Sequence, residues 1–245
     1  MIGTWSQFAS PEPVDILGAA GFDFTIVDTE HGCFGLETAE NLVRAADAAG
    51  LVAIVRVPAN EGHMITKALD IGAAAVLVPK IGSAEEAERA TAATRFGPGG
   101  SRGACPCVRS GGHFIQDWRA FLQGPGGDAG IIALIETPSA IERIDEIASV
   151  QGLVALLAGP FDLAVAMGLE GETTHPEVTG ALERVRRAAV AADLPLIMPI
   201  FKPAVDECRD LMAGWMRGGV SLFTVGTDKL LFADYCARYT AALRG

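Results

Sequence analysis

The stretch Ile131-Ile132-Ala133-Leu134-Ile135-Glu136-Thr137-Pro138, with Leu153-Val154-Ala155-Leu156-Leu157-Ala158-Gly159-Pro160-Phe161-Asp162 after it, decides the fold. Both runs are short and apolar at every position, and both end in turn residues. A strand that is greasy on both faces belongs in a parallel sheet covered on both sides. Parallel strands need a crossover, and Pro138 to Val150 is predicted to supply it as one helix. One carboxylate follows each run, Glu136 after the first and Asp162 after the second. The C-terminal ends of successive strands in a β-α-β unit are neighbours, so both acids should open into one space. Two hard oxygen ligands, with room left for water and substrate, suit Mg²⁺ or Mn²⁺ better than zinc.

Outward from this pair, β-rich runs alternate with amphipathic helices about eight times. The predicted strands are Gly3–Phe8, Phe24–Asp28, Val52–Val57 and Ala75–Pro79, then Ile131–Ile135, Leu153–Ala158, Leu196–Ile200 and Leu222–Gly226. Predicted helices include one capped by Ser10 and closed by Gly21, and a stripe from Leu36 to Ala49. Two more cover Glu85 to Thr94 and Pro176 to Ala192. The simplest architecture is a closed (β/α)8 TIM barrel forming a single α/β domain over residues 1–245. An open doubly wound sheet is the alternative. It lacks its phosphate-binding fingerprint, because Gly97-Pro98-Gly99-Gly100-Ser101-Arg102 fails at the third glycine and does not follow the first strand. The glycine- and proline-dense segment from Phe96 to Asp128, with a short helix near Ile115–Leu122, is expected to form a lid or substrate wall.

Composition narrows the class. Half of the 245 residues are apolar and 20% are charged, which excludes disorder and leaves no polar second domain. A net charge of −11 argues against nucleic acid and anionic membranes as partners. The N-terminus has neither a basic nor an apolar leader segment, and no run of roughly 18 apolar residues could span a bilayer. Cys33, Cys105, Cys107, Cys208 and Cys236 are odd in number and scattered, as expected of reduced thiols in a cytoplasmic protein.

In a parallel barrel the C-terminal strand ends share the face that holds the active site. That face should carry Trp5, the run Asp28-Thr29-Glu30-His31, Arg56, Glu136 and Asp162. His31 could exchange protons near neutral pH. Arg56, always charged, suits a carboxylate or an enolate oxygen. His113 in the long segment could face substrate, and His175 before Pro176 looks structural, whereas His63 carries little signal. Val225-Gly226-Thr227 hints weakly at a phosphate site. Zinc-protease, serine-hydrolase and P-loop motifs are absent.

The ordered set of motifs resembles the HpcH/HpaI aldolases, the metal-dependent class II pyruvate aldolases. The likeness runs through Gly21-Phe22-Asp23-Phe24, Asp28-Thr29-Glu30-His31, Val55-Arg56-Val57-Pro58 with Asn60, Leu69-Asp70-Ile71-Gly72-Ala73 and Val76-Leu77-Val78-Pro79. It continues through Gly100-Ser101-Arg102-Gly103, Ile135-Glu136-Thr137, Gly159-Pro160-Phe161-Asp162-Leu163 and Val225-Gly226-Thr227-Asp228. The resemblance implies an aldehyde-lyase that cleaves 4-hydroxy-2-oxo acids to pyruvate and an aldehyde. Glu136 and Asp162 would hold Mg²⁺, Mn²⁺ or Co²⁺, which would chelate the 2-oxo acid. Arg56 would stabilise the enolate oxygen, and His31, oriented by Asp70 as a dyad, would transfer protons. Backbone amides around Gly159, Pro160 and Phe161 would meet the substrate carboxylate, and Trp5 would line the pocket. The family also implies a homo-oligomer, a hexamer that exchanges C-terminal helices. Leu230, Leu231, Phe232 and Tyr235 offer an apolar segment for that contact.

The chain departs from the family pattern at Leu134, Phe161, Lys80 and Cys105-Pro106-Cys107-Val108. A bulky Phe161 beside the carboxylate pocket brings hydroxypyruvate forward as an alternative nucleophile to pyruvate. Other readings are a CoA-thioester lyase of the malyl-CoA or citrate lyase β type, a Schiff-base aldolase using Lys80, and a non-catalytic metabolite-binding relative.

Overall fold

The computed structural model describes residues 1–124, 127, 129–202 and 204–245. Pro125, Gly126 and Asp128, part of the predicted lid segment, lie outside the described residues. Eight strands run β1 (Ile2–Ser6), β2 (Phe24–Asp28), β3 (Val52–Arg56), β4 (Ala75–Val78), β5 (Gly130–Ile135), β6 (Leu153–Ala158), β7 (Leu196–Ile200) and β8 (Leu222–Thr227). All pair in parallel, in chain order, and β8 closes on β1. The expected barrel is therefore present, with strand limits within two residues of those read from sequence.

Helices cover the outside: α1 (Glu12–Ala19), α2 (Leu36–Ala48), α3 (Gly62–Asp70), α4 (Ala84–Ala92), α5 (Trp118–Leu122), α6 (Pro138–Glu142), α7 (Ile144–Ala148), α8 (Pro160–Ala166), α9 (Pro176–Ala191), α10 (Val205–Arg217) and α11 (Asp228–Arg244). Two expectations about helix ends need correction. The crossover predicted as one helix over 138–150 breaks at Arg143, whose φ of −108° and ψ of 18° lie outside helical values. Helix α1 has Pro11 at its cap and no side-chain cap, because the Ser10 hydroxyl turns to the Glu12 carboxylate instead.

Side-chain alternation sorts the strands into two cores. Phe24, Ile26, Ile54, Leu77, Ile132, Leu134, Leu157 and Ile197 fill the barrel lumen. Val27, Val55, Val76, Ile131, Ala133, Ile135, Leu156 and Met198 face the helices. Extending the inner series by two residues places Asp28 above Ile26, Arg56 above Ile54 and Glu136 above Leu134. The lumen is apolar at depth, and its charge stands at the C-terminal mouth.

The long segment between α4 and β5 lies at the opposite end of the barrel. Arg109 donates to Asp47 at 2.5 Å and to the Ile71 carbonyl at 3.0 Å, near the ends of α2 and α3. The Arg102 guanidinium, 2% exposed, pairs with Asp70 at 3.1 Å and lies 4.6 Å over the Phe96 ring. Phe96, Trp118 and Phe121 cluster beneath it, with centroids 5.0 and 5.4 Å apart along the chain of contacts. Within one chain the described residues of this segment form neither a lid nor a substrate wall. Every helix-to-strand connection of such a barrel runs along the N-terminal face, away from the site.

Close packing of the lumen has one sharp requirement at β1. A Cβ on Gly3 would stand 2.4 to 2.5 Å from three ring carbons of the buried Phe24. Gly3→Ala is expected to destabilise the barrel by about 1–3 kcal/mol, read as a lower urea midpoint with an unchanged slope.

Candidate active site

Asp28 and Arg56 end neighbouring strands and sit opposite one another in register. Their side chains join in a fork, Nε to Oδ1 at 2.8 Å and a terminal nitrogen to Oδ2 at 2.6 Å. Asp28 is fully buried and Arg56 is 6% exposed. A third contact runs from Arg56 to Glu30 at 3.1 Å, and the Trp5 ring lies 4.6 Å below the guanidinium. Two of the five N–H groups of Arg56 are hydrogen-bonded to Asp28, which fixes the plane of the fork and leaves the others to face Glu30 and a ligand. Gln7 Nε2 and the backbone amides of Glu30 and His31 also donate to Asp28, at 2.8, 3.1 and 3.1 Å. Burial alone would raise the Asp28 carboxyl, yet hydrogen bonding and charge from Arg56, then Gln7 and His31, hold it below its usual 3.8.

Across the mouth, Glu136 is buried and accepts the Lys80 backbone N–H at 2.9 Å. Lys80 adopts φ of 56°, a left-handed conformation that costs a non-glycine residue about 1–2 kcal/mol. Such strain gathers where a site needs a backbone group aimed in one direction. Gly159 must also be small, since a Cβ there would meet Glu136 Cβ at 2.6 Å. Burial first, then the nearby charges of Asp162 and Glu30, push the Glu136 carboxyl up to about 7, against the opposing Lys80 amide.

Trp5, His31, Arg56, Glu136, Gly159, Pro160, Phe161 and Asp162 all line one cavity of about 720 Å³. Leu134 and Leu157 form its floor, and Lys202 and Trp215 stand on its far wall. The acids of β5 and β6 therefore share one space, as their positions after adjacent strands require. No group of three or more His, Cys, Asp or Glu residues that could hold a metal occurs among the described residues. Two carboxylates facing one cavity, whose mutual repulsion a cation would relieve, fit a hard divalent ion that takes its other ligands from water and substrate.

Three expectations change. Asp70 does not join His31 within one chain: it ends α3 at the opposite face and pairs with Arg102. Only a second copy could bring that carboxylate to this cavity. The Gly159 amide is already spent on the Ile135 carbonyl at 2.9 Å, so any substrate carboxylate is left with the amides of Phe161 and Asp162. Lys80 offers the site its backbone, and its amine does not line the cavity, which Lys202 does.

The remaining residues settle simply. His175 caps α9 by accepting the Glu177 amide at 3.3 Å, as its place before Pro176 suggested. His113 lies in a groove with Arg102 and Arg109 and does not face substrate in this chain. After β8, where the sequence hinted at phosphate, the Lys229 and Leu230 amides are already taken by Asp228 Oδ1 at 2.7 Å and Thr227 Oγ1 at 3.0 Å. The Asp28–Arg56 pair was missed, although two charged residues ending adjacent strands at one level signalled it. Lys202 was missed too, although it lies only two residues beyond β7.

A C-terminal barrel mouth that gathers two carboxylates, an anchored arginine and a histidine in one cavity suits a lyase of the aldolase kind. The chain belongs to the HpcH/HpaI aldolase/citrate lyase family, whose model matches residues 1–232. It is 30% identical to a 2-dehydro-3,6-dideoxy-6-sulfogluconate aldolase of Pseudomonas putida, over 100% of this chain and 92% of that protein. It is 32% identical to a 5-keto-4-deoxy-D-glucarate aldolase of Shigella dysenteriae, over 94% and 87% of the two chains. A crystal structure of a family protein from Burkholderia cenocepacia J2315 superposes with a TM-score of 0.91 at 28% identity, covering 100% of this chain and 95% of that one. No helix among the described residues is long and apolar enough to cross a membrane.

Asp28 makes the site and the fold depend on one another. Asp28→Ala should cost about 3–5 kcal/mol at pH 7, since it strips a buried arginine of its main partner. A carboxyl held below 3.8 contributes its stability above that pH and loses it as pH falls through the folded value. Urea midpoints of both proteins should therefore differ at pH 7 and draw together only as pH falls below 3.8.

Proposed function

We propose that the protein is a divalent-metal-dependent aldolase that reversibly cleaves 4-hydroxy-2-oxo acids to pyruvate or hydroxypyruvate and an aldehyde. The observation that carries this reading is that Glu136 and Asp162 open into the same cavity as Arg56 and His31. Both relatives are named for oxo sugar acids with a second acidic group, and substrates of that class suit a cavity this large.

Glu136 and Asp162 would hold Mg²⁺, Mn²⁺ or Co²⁺. When bound, such an ion draws electron density from the keto group of the 2-oxo acid and offsets the charge that grows there. The N–H groups of Arg56 that Asp28 does not take disperse negative charge on the same oxygen, and Trp5 and Asp28 keep the guanidinium from turning away. His31, on the loop after β2, accepts the proton of the C4 hydroxyl as the C3–C4 bond breaks, and returns it in condensation. The amides of Phe161 and Asp162, in the first turn of α8, meet the substrate carboxylate. Phe161 crowds that end, which brings the choice between pyruvate and hydroxypyruvate to its ring.

We also infer a cytoplasmic homo-oligomer, in keeping with a family hexamer. Among the large side chains of α11, Phe232, Tyr235, Tyr239 and Leu243 are exposed in the single chain, and a helix this apolar on its outside is expected to be covered by another copy.

Titration with Mn²⁺ tests the metal assignment without any assay of turnover. Binding should weaken by about 100-fold or more in Glu136→Gln and in Asp162→Asn, since each removes a ligand. In the wild-type protein a proton on Glu136 competes with the ion, so affinity should fall about tenfold per pH unit below about 7. Equal binding by all three proteins would remove these carboxylates from the metal site.

A further inference from the structure

The cavity reaches well past its two acids, to the loop after β7 and to α10. Two permanent or near-permanent cations line it, Arg56 and Lys202. Arg56 is matched by Asp28 and Glu30, whereas Lys202 forms no ion pair among the described residues. Lys202 is only partly exposed, and Phe201, Leu211 and Trp215 share its wall. A partly buried lysine beside apolar side chains gains from an anion that the described residues do not supply.

Position strengthens the point. In a closed ring of eight strands, β3 and β7 are four steps apart, so Arg56 and Lys202 face each other across the mouth, with the carboxylates of β5 and β6 between them. The Cys208 thiol donates to the Lys202 carbonyl at 3.3 Å and pins the loop at that residue. A 2-oxo acid seated on the acids thus grows, through its aldehyde half, toward a positive charge on a backbone held in place.

We propose that Lys202 makes the enzyme select aldehydes with a terminal anion, by pairing with that group at the rim opposite Arg56. This rests on the aldolase reading above. The shared chemistry is a carboxylate, sulfonate or phosphate at the far end of the acceptor, held by a charge-assisted hydrogen bond that a neutral acceptor cannot make.

The test uses the metal-loaded protein and matched acceptors in condensation with pyruvate. Succinic semialdehyde is compared with butanal, and D-glyceraldehyde 3-phosphate with D-glyceraldehyde, so that the carboxylate and phosphate arms are separated. Exchange of the pyruvate methyl protons in D₂O, with no aldehyde present, tests the aldolase reading independently. The expected result is a wild-type preference for the anionic member of at least one pair. Lys202→Met should lower that ratio of kcat/KM about 10-fold or more, mainly through KM. Lys202→Arg should restore most of the ratio, and Lys202→Glu should favour the neutral member. Exchange together with a ratio unmoved by Lys202→Met, or an equal fall for both members, overturns this inference alone. Absence of exchange overturns the aldolase reading and this inference with it.

Discussion

Eight parallel strands that close on themselves force every second side chain into a lumen too narrow for water. Asp28, Arg56 and Glu136 are placed by that constraint. At depth the lumen accepts only apolar groups, which is why Phe24, Ile26, Ile54 and Leu134 fill it. One step higher the barrel opens, and the same inward parity delivers Asp28, Arg56 and Glu136. The chemistry stands on the last inward-facing residues of strands whose lower residues hold the fold.

Charge at this mouth divides into two parts with different tasks. Asp28, Arg56, Glu30 and Trp5 form a self-satisfied cluster, in which bidentate geometry and stacking fix the arginine. Glu136 and Asp162 form an unsatisfied one, in which burial and like charge work against ionisation of Glu136. The first cluster supplies a rigid donor, and the second is a concentration of negative charge that a cation would relieve. Strained Lys80 and the bare Gly159 serve the second cluster, by aiming an amide at Glu136 and by leaving space beside it.

Much of this was legible in the sequence. Apolar runs bounded by turns located all eight strands, and their places at or just after C-terminal strand ends carried Trp5, His31, Arg56, Glu136 and Asp162 to one cavity. What was misplaced was misplaced for topological reasons. Asp70 and the segment after Phe96 were read by resemblance and by length, without asking which end of the barrel they occupy. Asp70 closes a helix and the long segment precedes a strand, so both belong at the N-terminal face. The Gly159 amide illustrates a different limit, since its partner Ile135 is set by the meeting of two strand ends that no local pattern displays. The break at Arg143 is a local backbone event in a stretch whose apolar spacing continues through it.

The central claim is that carbon–carbon cleavage here needs a divalent ion on Glu136 and Asp162. The measurement that tests it most directly is pyruvate release from a 4-hydroxy-2-oxo acid by protein stripped with EDTA, before and after addition of Mg²⁺, Mn²⁺ or Co²⁺. The account predicts negligible release from the stripped protein and recovery when a metal is restored. Release that continues undiminished in EDTA, with the substrate trapped on a lysine by borohydride, would contradict it.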